Sequence, residues 1–135
     1  MTISGIAGMG GVNLQINGDE HRASVFGEDG MDSVNLNIEG LPGHRTIDGF
    51  VGQAPVNLSH NGNTLSGFIG NASINVQENG QEISGFLGPG FVNGQASQGG
   101  FFGEMGQATV SASASGAIPG MDVLDYLVAM VPTRN

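Results

Sequence analysis

The chain has 135 residues, a 39% apolar fraction and no cysteine, which suits one domain with a single core and rules out disulfides and thiolate metal sites. Arg22, Arg45 and Arg134 are its only fixed cations, there is no lysine, and the formal charge is −9. Such a chain repels phosphate backbones and anionic lipid surfaces, so nucleic acid is not an expected partner.

The first residues, MTISGIAGMGG, lack the basic segment and long apolar run of a signal peptide, and no apolar run is long enough for a membrane-spanning helix. A soluble, cytoplasmic protein without membrane insertion is expected. Within this stretch begins a repeat. Gly-x-x-Gly occurs at Gly5/Gly8, Gly27/Gly30, Gly49/Gly52, Gly67/Gly70, Gly85/Gly88 and Gly103/Gly106. Four residues after each second glycine stands a β-branched residue: Val12, Val34, Val56, Ile74, Val92 and Val110. In five copies asparagine follows it at once: Asn13, Asn35, Asn57, Asn75 and Asn93. A fixed internal offset carried through six copies marks a structural repeat.

Each copy holds two short runs of alternating polarity, the strand signature. In the two longer copies the runs fold about Asp19-Glu20 and Leu41-Pro42, setting Leu14 against Val25, Val12 against Gly27, Leu36 against Ile47 and Val34 against Gly49. In the next two, Asn61-Gly62 and Asn79-Gly80 predict type I′ hairpin turns. These pair Leu58 with Leu65, Val56 with Gly67, Val76 with Ile83 and Ile74 with Gly85. The four extra residues of a long copy add two to each strand, which lengthens a hairpin without exchanging its faces. One face then carries Ile3, Gly5, Val12, Leu14, Val25, Gly27, Val34, Leu36, Ile47, Gly49, Val51, Val56, Leu58 and their later counterparts. The other carries Ser4, Asn13, Asn35, Asp48, Asn57, Ser66, Asn75, Ser84 and Asn93, together with Phe50, Phe68 and Phe86 at equivalent positions of consecutive copies.

After SASASGA and Pro119-Gly120, the segment MDVLDYLVAMV (Met121 to Val131) reads as a helix of about three turns, ended by Pro132. Asp122 and Asp125 near its start favour the helix dipole. Apolar residues occupy most of its circumference, so it requires burial on all sides. A barrel of about twelve strands is too wide to be filled by its own side chains and suits such an occupant. The expected architecture is therefore all-β: an antiparallel up-and-down meander of six hairpins, residues 1–116, closed around a C-terminal helix at 121–131 within one domain 1–135. The repeat glycines would let the wall approach that helix. The alternative is a β-solenoid with a helical cap, which the hairpin turns and paired lengthening disfavour; a trefoil repeats three times rather than six.

Twelve short runs followed by MDVLDYLVAMV resemble, in order of elements, the tubby, LURP-one-related and phospholipid-scramblase group. The resemblance implies a twelve-stranded barrel enclosing a C-terminal apolar helix. Members that bind phosphoinositides use basic residues, which this chain lacks, so no functional residue is carried over.

Hairpin tips of a meander gather at one end. Asp19, Glu20, His21 and Arg22 fall on the first, His44 and Arg45 on the second, and His60 on the third. Histidines beside carboxylates suit a divalent metal or acid–base work, and Arg22 and Arg45 suit an anion. Turns also collect polar residues without any such role. EDGMDS, Glu28 to Ser33, reads as a solvated turn at the opposite end. GMGG, Gly8 to Gly11, has neither the spacing nor the lysine of a phosphate loop, and no nucleophile elbow, H-E-x-x-H or calcium loop occurs. Tyr126 reads as a packing residue. The function expected is that of a non-catalytic binding or scaffold module. It would use the rim or the surface bearing Phe50, Phe68 and Phe86 toward a protein or small polar ligand, without a cofactor. The alternative is an enzyme or metal-binding protein using His21, His44 and His60.

Overall fold

A computed structural model describes residues 1–106, 108–116, 118 and 120–131. Twelve strands form a closed antiparallel barrel in which each pairs with its sequence neighbours and the first with the last. They are β1 (Thr2–Ala7), β2 (Gly10–Gly18), β3 (Arg22–Asp29), β4 (Asp32–Leu41), β5 (His44–Val51) and β6 (Ala54–Asn61), followed by β7 (Thr64–Ile69), β8 (Ala72–Asn79), β9 (Glu82–Leu87), β10 (Gly90–Ser97), β11 (Gly100–Met105) and β12 (Ala108–Ser115). The meander and the closure agree with the alternation in the sequence, and the solenoid is excluded.

The tail helix is α1 (Val123–Tyr126), continued by a 3₁₀ turn over Leu127–Met130. It is shorter than the Met121–Val131 helix expected, because Asp122 and Val131 are extended and the chain tightens from α to 3₁₀ after Tyr126. All eight residues are buried. A helix lying on the wall would expose one side; this one occupies the lumen. Gly120 lies against Glu20 and Pro42 at the long-hairpin end, whereas Val131 borders the opposite mouth with Val51 and Ile69. The tail therefore runs the length of the barrel. No helix among the described residues is long and apolar enough to cross a membrane.

The two faces lie where alternation places them, but each hairpin expected at the long-hairpin end is offset by two residues. Leu14 opposes Gly27, Leu36 opposes Gly49, Leu58 opposes Gly67 and Val76 opposes Gly85. The turns are Gly62-Asn63 and Gly80-Gln81, with positive φ at the glycine and not at the residue after it, the type II′ pattern in place of the expected type I′. This register seats Leu14, Leu36, Leu58 and Val76 each beside a glycine, while nearer the tips of the long hairpins Ile16 opposes Val25 and Ile38 opposes Ile47. A shift of two leaves both faces intact.

The mid-strand glycines also have a different cause from the one expected. At Gly27 φ is +144°, and a β-carbon there would overlap the Asn13 carbonyl oxygen and lie 2.9 Å from the Leu14 Cα. Gly49 repeats this against Asn35 and Leu36. What comes close is the adjacent strand, not the central helix. The glycines form a ring of backbone kinks that curve the sheet toward closure.

Candidate functional site

The three rim histidines do not converge. His21 sits exposed in the turn between β2 and β3, His44 points outward at the start of β5, and His60 is buried facing the lumen. Among the described residues no group of three histidine or carboxylate side chains has the arrangement to hold a metal ion. Asp19 accepts hydrogen bonds from the backbone N–H groups of His21 and Arg22, at 2.9 and 3.0 Å, which lowers its pKa. It shapes its own turn. Arg22 forms an exposed ion pair with Glu39 at 3.2 Å. Glu20 contributes its backbone carbonyl, which accepts from Arg45.

Arg45 and His60 are cross-strand neighbours, and both point inward. The Arg45 guanidinium donates to Asp125 Oδ2 and to the Glu20 carbonyl, each at 2.5 Å, and to the Gly120 carbonyl at 2.8 Å. It is thus fully engaged in joining a hairpin turn to the tail and does not present an anion site. The other Asp125 oxygen lies 2.5 Å from His60 Nδ1. Burial alone would lower the His60 pKa, but the Asp125 hydrogen bond and the charges of Asp125, Asp122 and Glu78 reverse this and raise it. Glu78 rises to about 8, through burial first and then through its hydrogen bond to Asp122 and that residue's charge. The Asp122 backbone N–H donates to Asp125 at 2.9 Å, and the Tyr126 hydroxyl donates to the Gly99 carbonyl at 2.6 Å. Burial pushes the Tyr126 hydroxyl pKa upward.

These contacts make a latch. Three elements of the wall and the first turn of the plug meet on one ion pair, removed from water where a missing partner is costly. His60 Nε2 is buried without a hydrogen-bond partner among the described residues, 3.8 Å from Asp122. Sequence reasoning placed Asp125 near a helix dipole and missed the latch, because Arg45 lies eighty positions away.

At the opposite end, EDGMDS is not a wholly solvated turn. Asp29 points into the barrel at 0% exposure, and neither carboxyl oxygen has a hydrogen-bond partner among the described residues. Burial, and secondarily the Asp32 charge, push its pKa to about 8.

The outer wall carries the remaining expected residues. Phe50, Phe68 and Phe86 are 55%, 58% and 54% exposed, on alternate strands and displaced from one another by two residues along the strand between them, hence about 12 Å apart. Each opposes an asparagine of the preceding strand: Asn35, Asn57 and Asn75 respectively. Phe91, not singled out from the sequence although Val92 beside it marks the core face, is 64% exposed and opposes Phe86 with ring centroids 5.2 Å apart. Beside this pair the wall is hollowed into an open groove of about 610 Å³, lined by Asn75, Gln77, Ser84, Phe86, Phe91 and Asn93 among others. No family model, curated protein or solved structure matches the chain.

Proposed function

We propose that the chain is a non-catalytic binding module whose contact surface is the outward row Phe50, Phe68 and Phe86, extended by Phe91. The observation that carries this reading is four phenylalanines more than half exposed, three on the alternate strands β5, β7 and β9 and the fourth on β10, while the lumen is filled by the protein's own tail. Scattered apolar residues need no explanation, but an aromatic repeated on alternate strands forms a regular row, and at Phe86 and Phe91 a contacting pair. The rim is the weaker alternative, because its histidines face three directions and Arg45 is internally bound.

The reading is tested by fluorine NMR on protein carrying 4-fluorophenylalanine at its seven phenylalanine positions. Soluble neutral polysaccharide, phosphatidylcholine vesicles and a mixed peptide digest serve as probes. A shift of the Phe50, Phe68, Phe86 and Phe91 signals, with buried Phe101 unmoved, is the expected result. Silence of all four toward every probe would overturn it.

A further inference from the structure

We infer that the groove beside Phe86 and Phe91 binds a neutral carbohydrate chain; this rests on the binding-module reading and names its ligand. The groove spans three strands and its floor is low for a structural reason. Ser84 lies between Gln77 and Asn93 in register, so a short side chain is flanked by longer ones, and Gly85 follows it. In the next row Phe86 lies between Asn75 and Phe91. One end of the depression is therefore aromatic, and the rest is amide and hydroxyl.

No charged side chain lines the groove, although the chain carries a charge of −9. Neutral walls on an acidic protein favour an uncharged ligand over a cationic peptide or a phosphate. Among the described residues, Asn75, Gln77, Ser84 and Asn93 make no side-chain hydrogen bond within the protein. Their donors and acceptors are free. An amide offers both kinds of group, as does each hydroxyl of a sugar, so the two match without any change of protonation. A pyranose ring also has an apolar face of axial C–H bonds, and the negative face of a phenyl ring attracts it. A lipid chain would cover the aromatic pair but strip water from four polar side chains without replacing it. A sugar satisfies both halves of the surface, and the groove volume lies in the range of small-ligand sites.

The Asn–Phe pair recurs at Asn57/Phe68 and Asn35/Phe50, at steps of two strands. The second aromatic does not recur: Phe68 faces Ser73 and Phe50 faces Pro55 across the next strand. The Phe86–Phe91 groove is then the principal subsite, with the other pairs as outlying contacts for a longer chain.

Native electrophoresis through gels containing hydroxyethylcellulose, laminarin or galactomannan tests the inference, with far-UV circular dichroism confirming that each variant is folded. At least one polysaccharide should retard the full chain. The double variant Phe86→Ala/Phe91→Ala should weaken that binding about tenfold or more. Gln77→Ala should weaken it to a smaller extent, Phe86→Tyr should retain it, and His21→Ala should leave it unchanged. Retardation by none of the three, or equal retardation of the double variant, overturns the carbohydrate assignment. Vesicles or peptides that move the Phe86 and Phe91 fluorine signals when polysaccharides do not would refute the ligand class but preserve the binding surface. Signals unmoved by every probe would remove both.

Discussion

Asp29 allows a quantitative test of how the barrel interior treats charge. Its carboxyl is enclosed, without a hydrogen-bond partner among the described residues, and faces the further negative charge of Asp32. In the unfolded chain it releases its proton near pH 3.8, whereas in the folded protein it holds it to about pH 8. The folded state thus binds the extra proton between those values. The stability this group contributes is complete below the unfolded pKa and falls as pH rises, by about 1.36 kcal/mol per unit, until about pH 8. Asp29→Asn keeps the shape and cannot ionise, so its stability lacks this slope. Urea midpoints for the two proteins, measured from pH 5 to pH 9, should separate in favour of the variant. The gap should widen by about 4 kcal/mol between pH 5 and pH 8 and then level off. That is a large part of the roughly 5–15 kcal/mol that holds a small domain together. A gap constant to within about 0.5 kcal/mol across the range would refute the reasoning, since it would mean that Asp29 ionises as freely folded as unfolded.

Other substitutions probe the latch, the wall and the plug. Arg45→Met should cost about 3–5 kcal/mol in chemical denaturation at pH 7, because the buried Asp125 carboxyl loses its guanidinium partner and keeps only His60 and the Asp122 N–H. Asp125→Asn should lower the His60 pKa, read from its Hε1 resonance by NMR; the stability that wild-type His60 supplies below its unfolded pKa, and loses as pH rises through its folded pKa, should shrink with it. Gly27→Ala should destabilise by about 3 kcal/mol or more through its positive φ and its clash with Asn13, while Gly11→Ala, with open space around it, should change the melting curve little. Removing residues 121–135 should abolish cooperative unfolding, because the inward valines, leucines and isoleucines lose the helix that covers them; a sharp transition in the truncated chain would contradict a structural plug.

Fold and face were legible because both follow from period. Val12, Leu14 and Val25 announce the core side, and Asn13 and Ser4 the wet side, whatever the strands pair with. Register was less legible. Asn61-Gly62 matches the commonest hairpin signal, yet the turn falls one residue later, at Gly62-Asn63, and Leu58 stands beside Gly67. The mid-strand glycines were visible as a ring, but their strain against neighbouring carbonyls depends on backbone angles that composition does not encode. The exposed Phe50, Phe68 and Phe86 were readable from alternation, and Phe91 was readable by the same rule. The ionic latch was not, because a buried pair between residues 45 and 125 depends on the tertiary fold, and Arg45 shares its tip position with the exposed His44.

Closure by β1 on β12 has a consequence for the order in which the molecule is made. The seam joins Thr2 to Ser115, so the earliest strand waits for almost the latest before its free side is paired. During synthesis the growing meander presents two unpaired borders, each able to recruit a neighbouring chain. The hairpins themselves form from local contacts, but the seam and its filling depend on β12 and the tail, which are translated after the other eleven strands. A chain lacking everything from Ala108 onward would therefore be a curved ribbon open along its length, with its greasy concave side unfilled.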